Sequence, residues 1–76
     1  MHFWLSKESD VSIHEQLTAQ IKLAILSQDL KPAQRLPSTR ELARRLSIHS
    51  NTVSAAYREL AEQGWVEMRA EIIRLK

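Results

Sequence analysis

The residues of this chain that could do chemistry are arginines, hydroxyls and one amide, gathered between Arg35 and Arg58. Arg35, Arg40, Arg44, Arg45 and Arg58 stand there against Glu41 alone, a net of +4, whereas residues 1–34 and 59–76 each come to −1. Positive charge made only of arginine suits phosphate, because a guanidinium stays charged and grips two oxygens at once. For Arg44 and Arg45 the solvated back of a helix is the alternative reading. Ser50, Asn51, Ser54 and Arg58 fall on one side of a helix turning 100° per residue, and acids are postponed to Glu59 and Glu62. Such a face suits the major groove of DNA, where asparagine pairs with adenine, arginine with guanine, and serine with base or phosphate. Enzyme chemistry has no comparable footing. His2, His14 and His49 sit on separate elements, and there is no nucleophile–base pair, glycine-rich phosphate loop or metal-ligand spacing. The residues describe a binding module and not an enzyme.

Positioning such residues takes two helices and a tight turn, and Leu36 to Gly64 reads as that unit. Pro37 holds Leu36 extended. Ser38 and Glu41 fit a capping box that opens a helix of about three turns, carrying Leu42, Ala43 and Leu46. Ser47-Ile48-His49 leaves room only for a turn. A second helix over about 50–63 places Val53, Ala56, Tyr57 and Leu60 in one apolar stripe and ends at Gly64, the only glycine, as a left-handed cap. Short helices joined by so short a turn are the helix-turn-helix signature.

The flanks supply the rest of a small α+β domain. Ser12 and Glu15 form another capping box, opening a first helix with Ile13, Leu17, Ile21, Ala24 and Ile25 as its stripe. His14, in its first turn, reads as a surface or capping residue. Leu30 and Leu36 anchor a connector in which Lys31-Pro32 forbids helix. After Gly64, Val66/Met68 and Ile73/Leu75 alternate with charged residues, so two short strands turning near Arg69-Ala70-Glu71 make a hairpin. That turn has no glycine, asparagine or proline, which leaves either a distorted loop or a poorly formed second strand. Phe3 and Trp4 read as packing residues or as part of an interface with a second chain.

Composition sets outer bounds. Seventy-six residues make one domain, 1–76, and 43% hydrophobic residues make it globular. The absence of cysteine excludes a disulfide framework, which fits the cytoplasm, and no apolar run is long enough to span a bilayer.

The order helix, K-P connector, L-P-S-T-R-E-L-A, turn, S-N-T-V, then G-W and a hairpin resembles the DNA-binding domain of GntR-family bacterial transcription regulators. The opening F-W-L and S-I-H-E-Q-L look most like the MocR-like branch, followed by the YtrA-like branch. The resemblance implies a winged helix-turn-helix of three helices plus a small C-terminal β-hairpin, here the N-terminal domain of a longer regulator. It implies double-stranded DNA as partner and a homodimer, formed on DNA at two half-sites or through a C-terminal domain beyond this one. It places Ser38, Thr39 and Arg40, with Glu41 of the same motif, on the phosphate backbone, and Asn51 and Thr52 in the major groove. Arg35, Ser50, Ser54 and Arg58 join this contact set from the charge and face arguments above, and Arg69 is the one wing contact left. No cofactor is expected in this chain; pyridoxal phosphate would belong to a following domain of the MocR-like kind. The chain also departs from the family. Ser50 stands where arginine is usual, His49 where the helix-capping serine stands, Ser47 at the turn glycine, Ala33 at the connector glycine, and the wing tip has no glycine. These departures imply low DNA affinity for this domain alone. A winged-helix module that binds protein instead is the alternative.

Overall fold

The computed structural model describes residues 5, 6, 8, 10–27, 30, 31, 34–69 and 72–75. Helix α1 spans Ile13–Leu26, strand β1 Arg35–Leu36, α2 Thr39–Leu46, α3 Ser50–Glu62, β2 Val66–Arg69 and β3 Ile72–Leu75. The serine of each capping box does its work: Ser12 Oγ accepts from the Glu15 N–H at 3.1 Å and Ser38 Oγ from the Glu41 N–H at 3.2 Å. Each satisfies one of the backbone donors that a helix start leaves without an intrahelical partner. Gly64, at φ +83°, ends α3 as expected, with the Trp65 N–H reaching back to the Leu60 carbonyl at 2.9 Å.

The apolar stripes meet in a single core. Leu17 and Ile21 of α1, Leu42 of α2, and Val53, Ala56, Tyr57 and Leu60 of α3 are buried together with Leu30, Leu36, Val66, Ile73 and Leu75. Leu30 and Leu36 therefore anchor the connector as expected, and Ala24 and Ile25 pack at the margin of the core. Gln16 fastens the N-terminal segment to α1: its amide accepts from the Ser6 N–H and donates to the Ser6 carbonyl, both at 2.8 Å. Phe3 and Trp4 lie outside the described residues.

The sheet corrects the sequence expectation in two respects. It has three strands in the order β1-β3-β2, both pairings antiparallel, so the connector contributes a strand beside the expected hairpin. Leu36 pairs with Ile73 and brings the start of α2 against β3. The second hairpin strand is fully formed, with β2 and β3 in register from Val66↔Leu75 to Arg69↔Ile72. Burial of Ile73 and Leu75 outweighs the unfavourable turn composition. His14 is corrected as well. Its Nε2 lies 3.1 Å from Glu59 Oε2, which ties α1 to α3 rather than leaving the ring a plain surface residue. Among the described residues no helix is long and apolar enough to cross a membrane.

Candidate nucleic-acid interface

The starts of α2 and α3 open onto the same groove. Ser38, Thr39 and Arg40 line one wall, Ser50, Asn51 and Ser54 the other, and Ile73 of β3 closes it; the enclosed space is about 330 Å³. Six of the sequence-selected side chains thus converge from two elements. Ser38 uses its oxygen to accept the Glu41 N–H, so its hydroxyl hydrogen remains to donate. The N–H groups of Thr39 and Arg40 belong to the first turn of α2, where the helix dipole adds partial positive charge. Hydroxyl, backbone donors and guanidinium at a helix start make a seat for phosphate.

Arg40 is exposed, and neither Glu41 nor Glu15 forms an ion pair with it. Glu41 instead holds Arg45 at 2.7 Å, an i,i+4 pair on the solvated face of α2. Arg45 accordingly follows its solvated reading.

The opposite wall depends on how α3 begins. His49 precedes it in extended conformation, and its Nδ1 accepts from the Asn51 N–H at 3.2 Å. The histidine that departs from the usual capping serine therefore caps with its ring nitrogen. Ser47 ends α2 at φ 54°, ψ 45°, the left-handed conformation that glycine adopts without strain. The Ile48 N–H reaches the Ala43 carbonyl at 3.0 Å, which closes α2 and swings the chain directly into α3. Asn51 and Ser50 are thereby exposed at the groove, while Val53, Ala56, Tyr57 and Leu60 fix the other side of the helix in the core.

Tyr57 joins the two walls. Its side chain is fully buried, and its hydroxyl donates to the Pro37 carbonyl at 2.7 Å, just ahead of the Ser38 cap. Burial raises the phenol pKa far above its ordinary value of 10.0; the Glu41 carboxylate adds to the shift and Arg45 opposes it. Sequence reading counted Tyr57 only as core. A tyrosine on an apolar stripe needs a partner for its hydroxyl, and that was the available signal.

The remaining selected residues lie outside the groove lining. Arg35 and Glu41 line a neighbouring hollow of about 480 Å³ with Gln34, Ser38 and Arg45. Thr52 is half-buried, with its N–H 3.1 Å from the His49 carbonyl. Arg58 is exposed one helical turn beyond Ser54, continuing the outer face of α3. Arg69, at the end of β2, is paired with Glu67 at 3.0 Å.

Residues 13–71 match the family described as bacterial regulatory proteins, gntR family. The HTH-type transcriptional repressor YtrA of Bacillus subtilis is 41% identical over 63 residues, which cover 83% of this chain and 48% of that protein. The probable rhizopine catabolism regulatory protein MocR of Rhizobium meliloti is 38% identical over 66 residues, covering 87% of this chain and 13% of that protein. This chain therefore spans about half of the first relative and a small part of the second. Among solved structures, YtrA from Sulfolobus acidocaldarius, a GntR-family transcription factor, superposes with a TM-score of 0.92 at 34% identity, over 97% of this chain and 64% of that one. The DNA-binding domain of AraR in complex with operator ORR3 shares the fold, with a TM-score of 0.80 at 19% identity over 100% of this chain and 93% of that one.

Proposed function

Since this chain belongs to the gntR family of bacterial regulatory proteins, we propose that it reads DNA sequence through the groove between α2 and α3. The observation that carries this is the convergence of Ser38, Thr39, Arg40, Ser50, Asn51 and Ser54 on one groove at two helix starts. The chain is a winged helix-turn-helix DNA-binding domain of this family. In the proposed mode the start of α3 enters the major groove, where the Asn51 amide pairs with adenine and Ser50 and Ser54 meet base edges or phosphate. Arg40, the Ser38 hydroxyl and the first-turn N–H groups of α2 hold the adjacent backbone phosphates and set the register. Arg58 extends the cationic face along α3. Thr52 steadies the α3 start from its half-buried place, and Glu41 keeps Arg45 turned aside. Two copies on half-sites about one helical turn apart would give an operator of two-fold symmetry.

The test is fluorescence anisotropy on labelled duplexes at low salt. Arg40→Ala is expected to weaken binding to every sequence, because a phosphate contact carries no base information. Asn51→Ala is expected to narrow the gap between preferred and scrambled sites, by roughly 1–3 kcal/mol if the amide pairs with adenine. Unchanged affinity in Arg40→Ala would remove the phosphate seat from the proposal. Binding that ignores salt would point instead to a protein partner.

A further inference from the structure

Arg35 and Arg74 stand directly opposite each other on the paired strands β1 and β3, and both are exposed. The period of two sends Leu36, Val66, Met68, Ile73 and Leu75 toward the core and leaves Arg35, Glu67, Arg69, Ile72 and Arg74 on the outer face. Like charges directly opposite each other destabilise a sheet. Glu67, the carboxylate on this face among the described residues, pairs across the strands with Arg74, yet its oxygen is held by Arg69 at 3.0 Å. The Arg35–Arg74 pair is thus left without an ion-pair partner among the described residues, although Glu41 shares the Arg35 hollow and Glu67 the Arg74 one.

Its position suggests what supplies one. The hollow lined by Arg35 shares Ser38 with the α2–α3 groove. Across the strand pair, Arg74 lines a further hollow of about 370 Å³ with Glu67, Arg69 and Ile72. Cationic side chains therefore continue from Arg40 through Arg35 to Arg74, from the groove onto the sheet.

We propose that Arg35 and Arg74 together hold a backbone phosphate of the same DNA, beyond the segment seated in the α2–α3 groove, so that the footprint extends over the outer face of the sheet. The proposal rests on the DNA-binding reading above and adds Arg74 to its residues. A phosphate between the guanidiniums removes their repulsion and accepts from both. The pair works by charge and has no part in base choice.

The experiment measures affinity of the whole chain across a salt series, on a duplex that extends past the groove segment and on one trimmed to it. The double variant Arg35→Gln/Arg74→Gln is expected to lower the log–log salt slope on the long duplex by about 0.9, one phosphate contact. On the trimmed duplex Arg74→Gln alone should match the unsubstituted chain. Melting of Arg74→Gln in the absence of DNA should be unchanged or higher, since the substitution removes a repulsion. An unchanged slope on the long duplex overturns the proposal. So does loss of slope on both duplexes alike, which would place the contact inside the groove segment. Capture of an acidic peptide such as polyglutamate by the unsubstituted chain only, with DNA binding unaltered, overturns it in favour of a protein partner. Arg40→Ala separates the two levels: if it too leaves DNA binding unchanged, the groove reading fails as well.

Discussion

The two walls of the α2–α3 groove are held by different means. The α2 wall is fastened from beneath: Leu42 and Ala43 are buried, Leu36 pairs with Ile73, and the Tyr57 hydroxyl grips the Pro37 carbonyl just before the Ser38 cap. The entry of α3 is held from above, by an exposed histidine ring and a serine in left-handed conformation. One wall is part of the core, and the other rests on its core stripe but is shaped at its tip by solvent-facing residues. In the proposed binding mode this difference would suit a division of labour, with phosphate seated on the firmer wall and bases read by the end of α3 that is shaped by solvent-facing residues.

Removing the tyrosine hydroxyl tests the rigid wall and should give the largest effect. Tyr57→Phe leaves the ring in place but strips the Pro37 carbonyl of its donor, at a cost of about 1–3 kcal/mol in stability measured by urea unfolding. The phenol also sets a pH limit. Its pKa in the fold is raised above the unfolded value, so its contribution is fully present below about pH 10 and is lost as the pH climbs beyond. The unsubstituted chain should therefore lose stability on the alkaline side through a component that Tyr57→Phe does not show. Identical alkaline limbs in the two proteins would mean that this hydrogen bond is not what joins the walls.

The softer wall is probed at His49. Deleting its ring in His49→Ala frees the Asn51 N–H and should cost about 1 kcal/mol, the usual worth of a helix N-cap. His49→Ser should restore most of the loss, since serine caps through its hydroxyl. Thermal melting of the three proteins decides the point. If His49→Ala melts with the unsubstituted chain, the ring nitrogen does not hold the α3 start, and the contrast between the walls rests on Ser47 alone.

What was legible in the sequence follows from how local each feature is. Ser12, Ser38 and Gly64 were readable because a cap is one residue type meeting one backbone need. The stripes of α1 and α3 were readable because a period survives along a single helix. The convergence of Ser38, Thr39 and Arg40 with Ser50, Asn51 and Ser54 followed once the turn between the helices was short. Strand β1 was not readable, since two residues carry no alternation and its partner lies far along the chain. The Arg35–Arg74 pairing, the Tyr57–Pro37 bond and the His14–Glu59 bridge are likewise matters of register between distant segments. His49 was noticed for the wrong reason: the missing serine was seen, and the ring acceptor that replaces it was not.

Ser47 offers the smallest effect, and one of opposite sign. Its left-handed backbone carries a penalty of roughly 1–2 kcal/mol for a residue with a Cβ, which glycine would not incur. Glycine gives back about 0.4–1 kcal/mol by loosening the unfolded chain, and it forgoes the further interaction that Ser47 makes. Ser47→Gly should therefore stabilise the domain only slightly, by about 0.5 kcal/mol, read as a small rise in melting temperature. Its use lies in the pairing with His49→Ala. If left-handed strain and ring cap act on the same few residues between Ala43 and Thr52, the two substitutions should fail to add, because neighbours sharing a backbone segment are coupled. Strict additivity would show instead that the end of α2 and the start of α3 are set independently. The entry of α3 would then be as firmly built, residue by residue, as the wall opposite.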